Sequence, residues 1–202
     1  MKISNNISFG KTLVATCQLQ TTDKKNSACN IFELNSTEDK DYFEKLKSNP
    51  TWNGNKFLRS MDNLMKKGSI GKNNDTFSLE NSNGECLGYI SVITHEHPHN
   101  RKFIYSIETA PEYTAKKKDG IINNIGRSLV AFIVEKAKQE NRDKVTTLAF
   151  DSDTRRFFKH HCGFKYGENS SYDCVLNRKD YTKFLENHKV KTGNEITLIR
   201  WK

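Results

Sequence analysis

Apolar residues along this chain change their period several times, and each change predicts an element. Thr12-Leu13-Val14-Ala15-Thr16-Cys17 is β-prone, so residues 11–20 and 28–34 read as two strands around a polar turn at 21–27, where Asp23 and Asn26 supply turn chemistry. Ser36-Thr37-Glu38-Asp39 reads as a helix start leading into Tyr42, Phe43 and Leu46 at helical spacing. Beyond the break at 49–54, Phe57, Leu58, Met61, Leu64 and Met65 form a second helical set that stops at Gly68. Segments 77–80 and 86–93 flank Asn81-Ser82-Asn83-Gly84, and Asn-Gly is a hairpin signal. A strand over 102–109 follows. The clearest helix spans 125–138, with Leu129, Phe132, Ile133 and Ala137 on one face and Val130 broadening it. A strand at 145–150, a short helix at 154–161 stopped by Gly163, a strand at 172–176, a helix at 181–187 and a strand at 195–201 complete the pattern.

Neither an internal repeat nor a long linker interrupts this order, so one domain over 1–202 is expected. Strand pair, helix pair, three strands, then alternating helix and strand predict a mixed α/β (α+β) fold. Its central sheet is mostly antiparallel and carries helices on both faces. Twelve Phe and seven Tyr among 35% hydrophobic residues are enough for one core. No apolar run approaches the roughly 20 residues of a membrane span, and Met1-Lys2-Ile3-Ser4-Asn5-Asn6 lacks the apolar core of a secretory signal. The five cysteines are odd in number, scattered and never in a Cys-x-x-Cys pair, which fits a reduced, cytoplasmic setting. A net charge of +9 suits an anionic partner: nucleic acid, an acidic protein or a phosphorylated cofactor.

Chemistry concentrates between 104 and 164. A strand ends at Ala110-Pro111-Glu112-Tyr113, and a polar loop then runs through Asn123-Asn124-Ile125-Gly126-Arg127 into the apolar helix. First-turn helix amides have no intrahelical partners and lie at the positive end of the dipole, so this start is an anion site. Gly126 permits close approach, Asn124 tolerates positive φ and can cap the helix, and Lys116, Lys117, Lys118 and Arg127 add charge. A second strand then leads to Asp151, to the pair Phe157-Phe158 and to Cys162-Gly163-Phe164.

That order resembles the GNAT superfamily of acyl-CoA N-acyltransferases. Ile107 to Tyr113 is similar to the family's strand followed by Pro-x-Tyr. Ile125-Gly126-Arg127-Ser128-Leu129-Val130 is similar to its Ile-Gly-x-x-Leu-Leu helix opening, and the paired aromatics with Gly-Phe to its next βα unit. The family fingerprint Gln/Arg-x-x-Gly-x-Gly/Ala is altered here, with Ile121 and Asn124 at its first and fourth positions and only Gly126 kept. The resemblance implies an acetyl-CoA donor lying in a splay between strands 103–109 and 145–150. Ile107 and Thr109 would run beside the pantetheine arm. Amides of Asn123, Asn124, Ile125, Gly126, Arg127 and Ser128 would hold the pyrophosphate, and Phe158 would flank the thioester. Glu108 interrupts the strand that the family places beneath the acceptor amine and is the candidate base. Lys159 stands where the family has its acidic Tyr, so Tyr166, near in sequence, is the candidate acid, with Tyr105, Tyr113 and Tyr172 on neighbouring elements.

The implied activity is direct acetyl transfer to an amine in a ternary complex. The acceptor is left open among a small molecule, a protein amine and an aminoacyl-tRNA; a homodimer is also open, and no membrane partner is expected. Two other readings compete: a catalytically impaired relative that binds CoA or an acidic partner, and a basic nucleic-acid-binding module. His95-Glu96-His97-Pro98-His99 reads as a polar turn and not a metal site, because no fourth ligand is in view. Cys162 lacks a paired base, which argues against a covalent thioester route.

Overall fold

The computed structural model describes residues 11–20, 26–34, 74–110, 124–168 and 170–191, with positions 39, 41, 44, 48 and 113. Eight strands among the described residues form one sheet in the order β1-β2-β3-β4-β5-β6-β8-β7. They are β1 (Thr12–Gln20), β2 (Asn26–Leu34), β3 (Asn74–Asn81), β4 (Cys86–His95), β5 (Arg101–Thr109), β6 (Lys144–Leu148), β7 (Lys165–Tyr166) and β8 (Asp173–Asn177). Among the neighbouring pairs only β5–β6 is parallel. The helices described along their whole length are α1 (Ile125–Gln139), α2 (Ser152–Arg156), which runs into a π-helical turn at Phe157–His161, and α3 (Tyr181–Lys191).

The period-2 pattern explains β1 and β2: Ala15, Cys17 and Leu19 are buried on alternate positions, and Ala15 and Cys17 pair with Ile31 and Cys29. Central β3 and β4 are buried on both faces, Thr76 to Asn81 and Cys86 to Val92 throughout. Helix α1 contacts β4, β5, β6 and α3. Its buried set therefore extends beyond the predicted stripe to Ile125, Ser128, Ala131 and Val134. Gly88 lies against Ile125 and Leu129 of α1, so Gly88, Ile90 and Val92 face the helix, together with their β5 partners Thr109, Ile107 and Ile104. Glu108 and Ser106 then point to the opposite face.

Several elements differ from expectation. Asn26 and Ser27 open β2 instead of sitting in the turn, because they pair with Gln20 and Leu19. Strand β6 ends at Leu148, leaving Phe150 70% exposed, because Asp151 must turn the chain to cap α2. The helix at 154–161 is α2 plus the π turn, closed by Cys162 N–H donating to the Phe157 carbonyl at 3.1 Å. Its extra residue sends Phe158 into the core at 1% exposure. Tyr172 lies before β8, the two-residue β7 is additional, and α3 runs beyond 187 to Lys191. Between 36 and 67 only four positions are described, of which Asp41, Glu44 and Ser48 are helical. The rest of that predicted helix pair, and the predicted strand 195–201, lie outside the described residues. No helix among the described residues is long and apolar enough to cross a membrane.

Candidate functional site

Parallel pairing of β5 with β6 runs from Arg101↔Lys144 only as far as Ile104↔Thr147, where Thr147 Oγ1 donates to the Ile104 carbonyl at 2.9 Å. The next residue, Tyr105, is an extra one. Ser91 pairs with Ser106 and Val92 with Ile104, so Tyr105 forms a β-bulge on β5. A bulge bends its strand and raises the local twist. Beyond it the two strands part around a cavity of about 410 Å³, lined by Tyr105, Glu108, Thr109, Leu148, Phe150 and Phe158 among others. That volume lies in the ordinary range for small-molecule sites.

Three kinds of group meet there. First, Ala110 N–H donates to the Leu87 carbonyl on β4 at 2.8 Å. Peptide groups alternate edges along a strand, so those of Thr109 and Ile107 are directed away from β4, into the splay. Second, the start of α1 borders the cavity through Gly126. Asn124 is left-handed, with φ 61° and ψ 22°, as its side chain tolerates, but it makes no side-chain capping bond, contrary to expectation. The first helical bond is Ser128 N–H to the Asn124 carbonyl at 2.9 Å, which leaves the amides of Ile125 and Gly126 without intrahelical acceptors. Gly126 has a packing role too: a methyl there would meet Phe157 Cζ at 3.2 Å. Third, the π turn brings Phe157 to the cavity and buries Phe158 behind it, the rings edge to face at 5.1 Å. Gly163, at φ 67°, then reverses the chain and Phe164 packs on Phe158.

The titratable groups separate by environment. Burial raises Glu108 above the ordinary carboxylate value. Asp151 is lowered, because its carboxylate accepts hydrogen bonds from the Thr154 hydroxyl at 2.6 Å and the Thr154 amide at 2.8 Å. Cys162 is 1% exposed and its thiol is pushed up to about 12 by burial, so it holds no thiolate at neutral pH. His95 is lowered by burial and by the charge of Arg101. No group of three or more metal-ligating side chains is found among the described residues.

Of the residues expected from sequence, Ile107, Glu108, Thr109, Gly126 and Phe158 line one cavity. Asn124, Ile125 and Ser128 stand at the helix start beside it, Ile125 and Ser128 being buried. Arg127 borders a separate depression with His160 and Lys183. Asn123 lies outside the described residues. Tyr166 is half exposed on β7 and lines a groove on the other face of the sheet, with the Lys159 ammonium 4.1 Å from its ring centroid. Tyr105 lines both spaces, as do Thr147 and Leu148. Sequence reasoning could not place Tyr105, because a single-residue bulge leaves no periodic trace.

A family model described as the acetyltransferase (GNAT) family matches residues 37–164, more than half of the chain. Among solved structures, a variant of the spermidine N-acetyltransferase SpeG from Vibrio cholerae is similar at 16% identity and a TM-score of 0.52, over 76% of this chain and 95% of that one. A GNAT-family acetyltransferase from Staphylococcus aureus Mu50 is similar at 16% identity and a TM-score of 0.54, over 74% and 99%. AtaTR, in a structure bound with AcCoA, is similar at 14% identity and a TM-score of 0.57, over 77% and 96%. At these identities the likeness is one of fold. A search of curated protein sequences finds no match.

Proposed function

We propose that this chain, which belongs to the acetyltransferase (GNAT) family, transfers an acetyl group from acetyl-CoA to an amine by direct attack in a ternary complex. One observation carries the reading: the parted parallel strands enclose a cavity bordered at once by the α1 start, by the free edge of β5 and by a carboxylate raised through burial.

Acetyl-CoA is the donor substrate, and the residues present suit it. The amides of Ile125 and Gly126 at the α1 start are left for a pyrophosphate, with Asn123 to Arg127 as the phosphate cradle, whereas the Ser128 amide is already bonded to the Asn124 carbonyl. The exposed edge of β5 at Ile107 and Thr109 offers strand-like hydrogen bonds to a pantetheine amide, and Phe158 backs the apolar wall. Glu108 points to the face away from α1, so the acceptor approaches from the side opposite the phosphates. The carboxylate takes the proton that an ammonium must lose before its nitrogen can attack. The nitrogen–carbon bond then forms, the carbon–sulfur bond breaks, the departing thiolate takes a proton from a phenol, and the nitrogen's second proton passes to the phenolate and restores it. Tyr166 is one donor; Tyr105, which borders both the cavity and the acceptor face, is the better placed of the two. A cytoplasmic setting, with the whole chain as one transferase domain, agrees with five cysteines that are all buried and free.

Acetyl-CoA at about 100 times its Kd should stabilise the protein by about 2.7 kcal/mol, raising Tm by roughly 5–11 °C for a chain of this size. Thiol release in the presence of an amine should follow. The absence of both a Tm shift and a calorimetric signal with acetyl-CoA would sink the reading.

A further inference from the structure

Two of the five cysteines face each other across a strand pair. The antiparallel register of β1 and β2 sets Cys17 directly opposite Cys29. Ala15, Cys17 and Leu19 are buried on alternate positions of β1, and Cys29 and Ile31 are buried opposite them, so both sulfurs project into the core on one side of the sheet. The other three cysteines are placed differently. Cys86 stands opposite Glu80, Cys174 lies between Thr147 and Tyr166, and Cys162 caps the π turn.

Directly opposed residues of an antiparallel pair have Cα atoms about 4.5 or 5.5 Å apart, and a disulfide spans about 4.4–6.8 Å. Their Cβ atoms, about 4.5–5.5 Å apart, need close by only about 1 Å to reach the bonded spacing. A bond therefore fits without parting the strands. The two thiols already interact: Cys17 donates a hydrogen bond to the Cys29 sulfur, which holds the Cys29 thiol below its ordinary value against the opposing effect of burial. The same bond, together with burial, raises Cys17 well above its ordinary value. Cys29 Sγ donates in turn to the Ser27 carbonyl at 3.6 Å. Cys29 is thus the sulfur that ionises first, and Cys17 is the neighbour left to react with what forms on it. Strand β1 ends the sheet among the described residues. Opening of an end strand is the local motion that uncovers sulfurs otherwise 5% and 1% exposed.

We propose that Cys17 and Cys29 are an oxidation site, which hydrogen peroxide converts to a cross-strand disulfide that staples the end strand of the sheet to its neighbour. The Cys29 sulfur bonds to one peroxide oxygen, the oxygen–oxygen bond breaks, and the leaving hydroxide takes the thiol proton as water, giving a sulfenic acid. The Cys17 sulfur then bonds to the Cys29 sulfur, the sulfur–oxygen bond breaks, and the second hydroxide leaves with the Cys17 proton as water. Two electrons pass from the thiols to the peroxide. Neither β1 nor β2 lines the cavity between β5 and β6, so the bond stabilises the hairpin and leaves the acetyl-CoA site unchanged.

The test treats the folded full chain with hydrogen peroxide, blocks the remaining thiols with iodoacetamide in denaturant, and maps the peptides by mass spectrometry. Of the five cysteines, three should be alkylated, and a bond should join the Cys17 and Cys29 peptides. Because the bond closes a loop of residues 17–29, oxidation should raise Tm by roughly 5–15 °C, reversibly with dithiothreitol. The Tm shift with acetyl-CoA should match that of the reduced chain. Variants test the order of attack: in Cys17→Ala, dimedone should trap a sulfenic acid on Cys29, whereas in Cys29→Ala it should leave Cys17 unlabelled. Peptide mapping of the parent reports the bond even where a variant does not fold. The proposal is overturned by five alkylated cysteines after excess peroxide, by a bond between any other two, by a Cys17–Cys29 bond that forms only after unfolding, or by an oxidised chain that melts no higher than the reduced one. Dimedone on Cys17 in place of Cys29 overturns the assigned order.

Discussion

Replacing Gly88 by alanine puts a methyl group 2.6 Å from the backbone oxygen of Glu108, 2.9 Å from Ile125 Cγ2 and 3.4 Å from Leu129 Cδ1. The first contact is with backbone and cannot be relieved by a rotamer change. The β4–β5 ladder must open at Glu108, or α1 must lift at its first turn, and Ile125 is only 3% exposed, with little room to yield. Overpacking a closed core costs about 1–3 kcal/mol, and a backbone clash belongs at the upper end. For a chain of about 200 residues, about 3 kcal/mol lowers Tm by roughly 6–12 °C. The displaced groups are the helix start and the strand carrying Glu108, so the Tm rise with acetyl-CoA should shrink as well. Differential scanning fluorimetry with and without acetyl-CoA measures both effects. Gly84→Ala is the control: a methyl there meets nothing within 4 Å, and only its φ of 77° is strained. It should lower stability by about 1 kcal/mol with the acetyl-CoA shift unchanged. A Gly88→Ala protein that melts within 2 °C of the parent would refute the close packing of β4 against β5 and α1.

Two further expectations concern charge. Glu108→Gln should cut kcat/KM by about 10²- to 10⁴-fold, the range for loss of a general base, with acetyl-CoA binding retained; turnover within threefold of the parent excludes the assignment. Because burial raises Glu108 in the folded state, its favourable contribution exists in acid and is lost as pH rises through the folded value. The Gln variant should therefore match the parent in acid and equal or exceed it in urea melts at neutral pH, and the acidic limb of the parent's rate profile should lie above the ordinary carboxylate range. Lys102 is 2% exposed, with Nζ 2.8 Å from Glu140 and 2.7 Å from Thr94 Oγ1. Lys102→Met should cost about 1–3 kcal/mol, below the loss for a fully buried pair because Glu140 keeps Lys136 and Arg142. Burial alone would raise Glu140, but Lys102 and Lys136 outweigh it and hold it lowered. The destabilisation should thus shrink as pH falls and Glu140 is protonated, an outcome visible in denaturant melts across pH.

Strand alternation in β1 and β2 and the helical face of α1 were legible because each is repeated several times and tied to burial. Asn124 was legible as a positive-φ residue because few side chains tolerate that conformation, yet its capping bond was not made. The splay came from family resemblance, and its cause, the extra residue Tyr105 opposite Ser91 and Val92, is a defect in a pattern that sequence periodicity averages away. The π turn escaped notice for a similar reason: a single inserted residue rotates Phe158 inward without altering the hydrophobic count. The groove on the face away from α1 was invisible as a unit. Arg101, Lys144, Lys165 and Lys179 belong to four separate segments and converge only when β5, β6, β8 and β7 lie side by side.

Two of the carboxylates bordering the cavity, Glu108 and Asp151, show how environment divides roles within one site. Asp151 is committed to Thr154 through two hydrogen bonds that favour its ionised form, so it fixes the turn into α2 and is a weak proton acceptor. Glu108 makes no such commitment. Burial disfavours its charge, and its strand position turns it to the face away from α1. Groups whose surroundings push them in opposite directions separate structural work from acid–base work. The bulge at Tyr105 is what lets one side chain serve both faces, because the parted strands open the sheet there. On the proposed reading, a donor whose phosphates meet α1 and an acceptor approaching from the opposite face reach one carboxylate without sharing a binding surface.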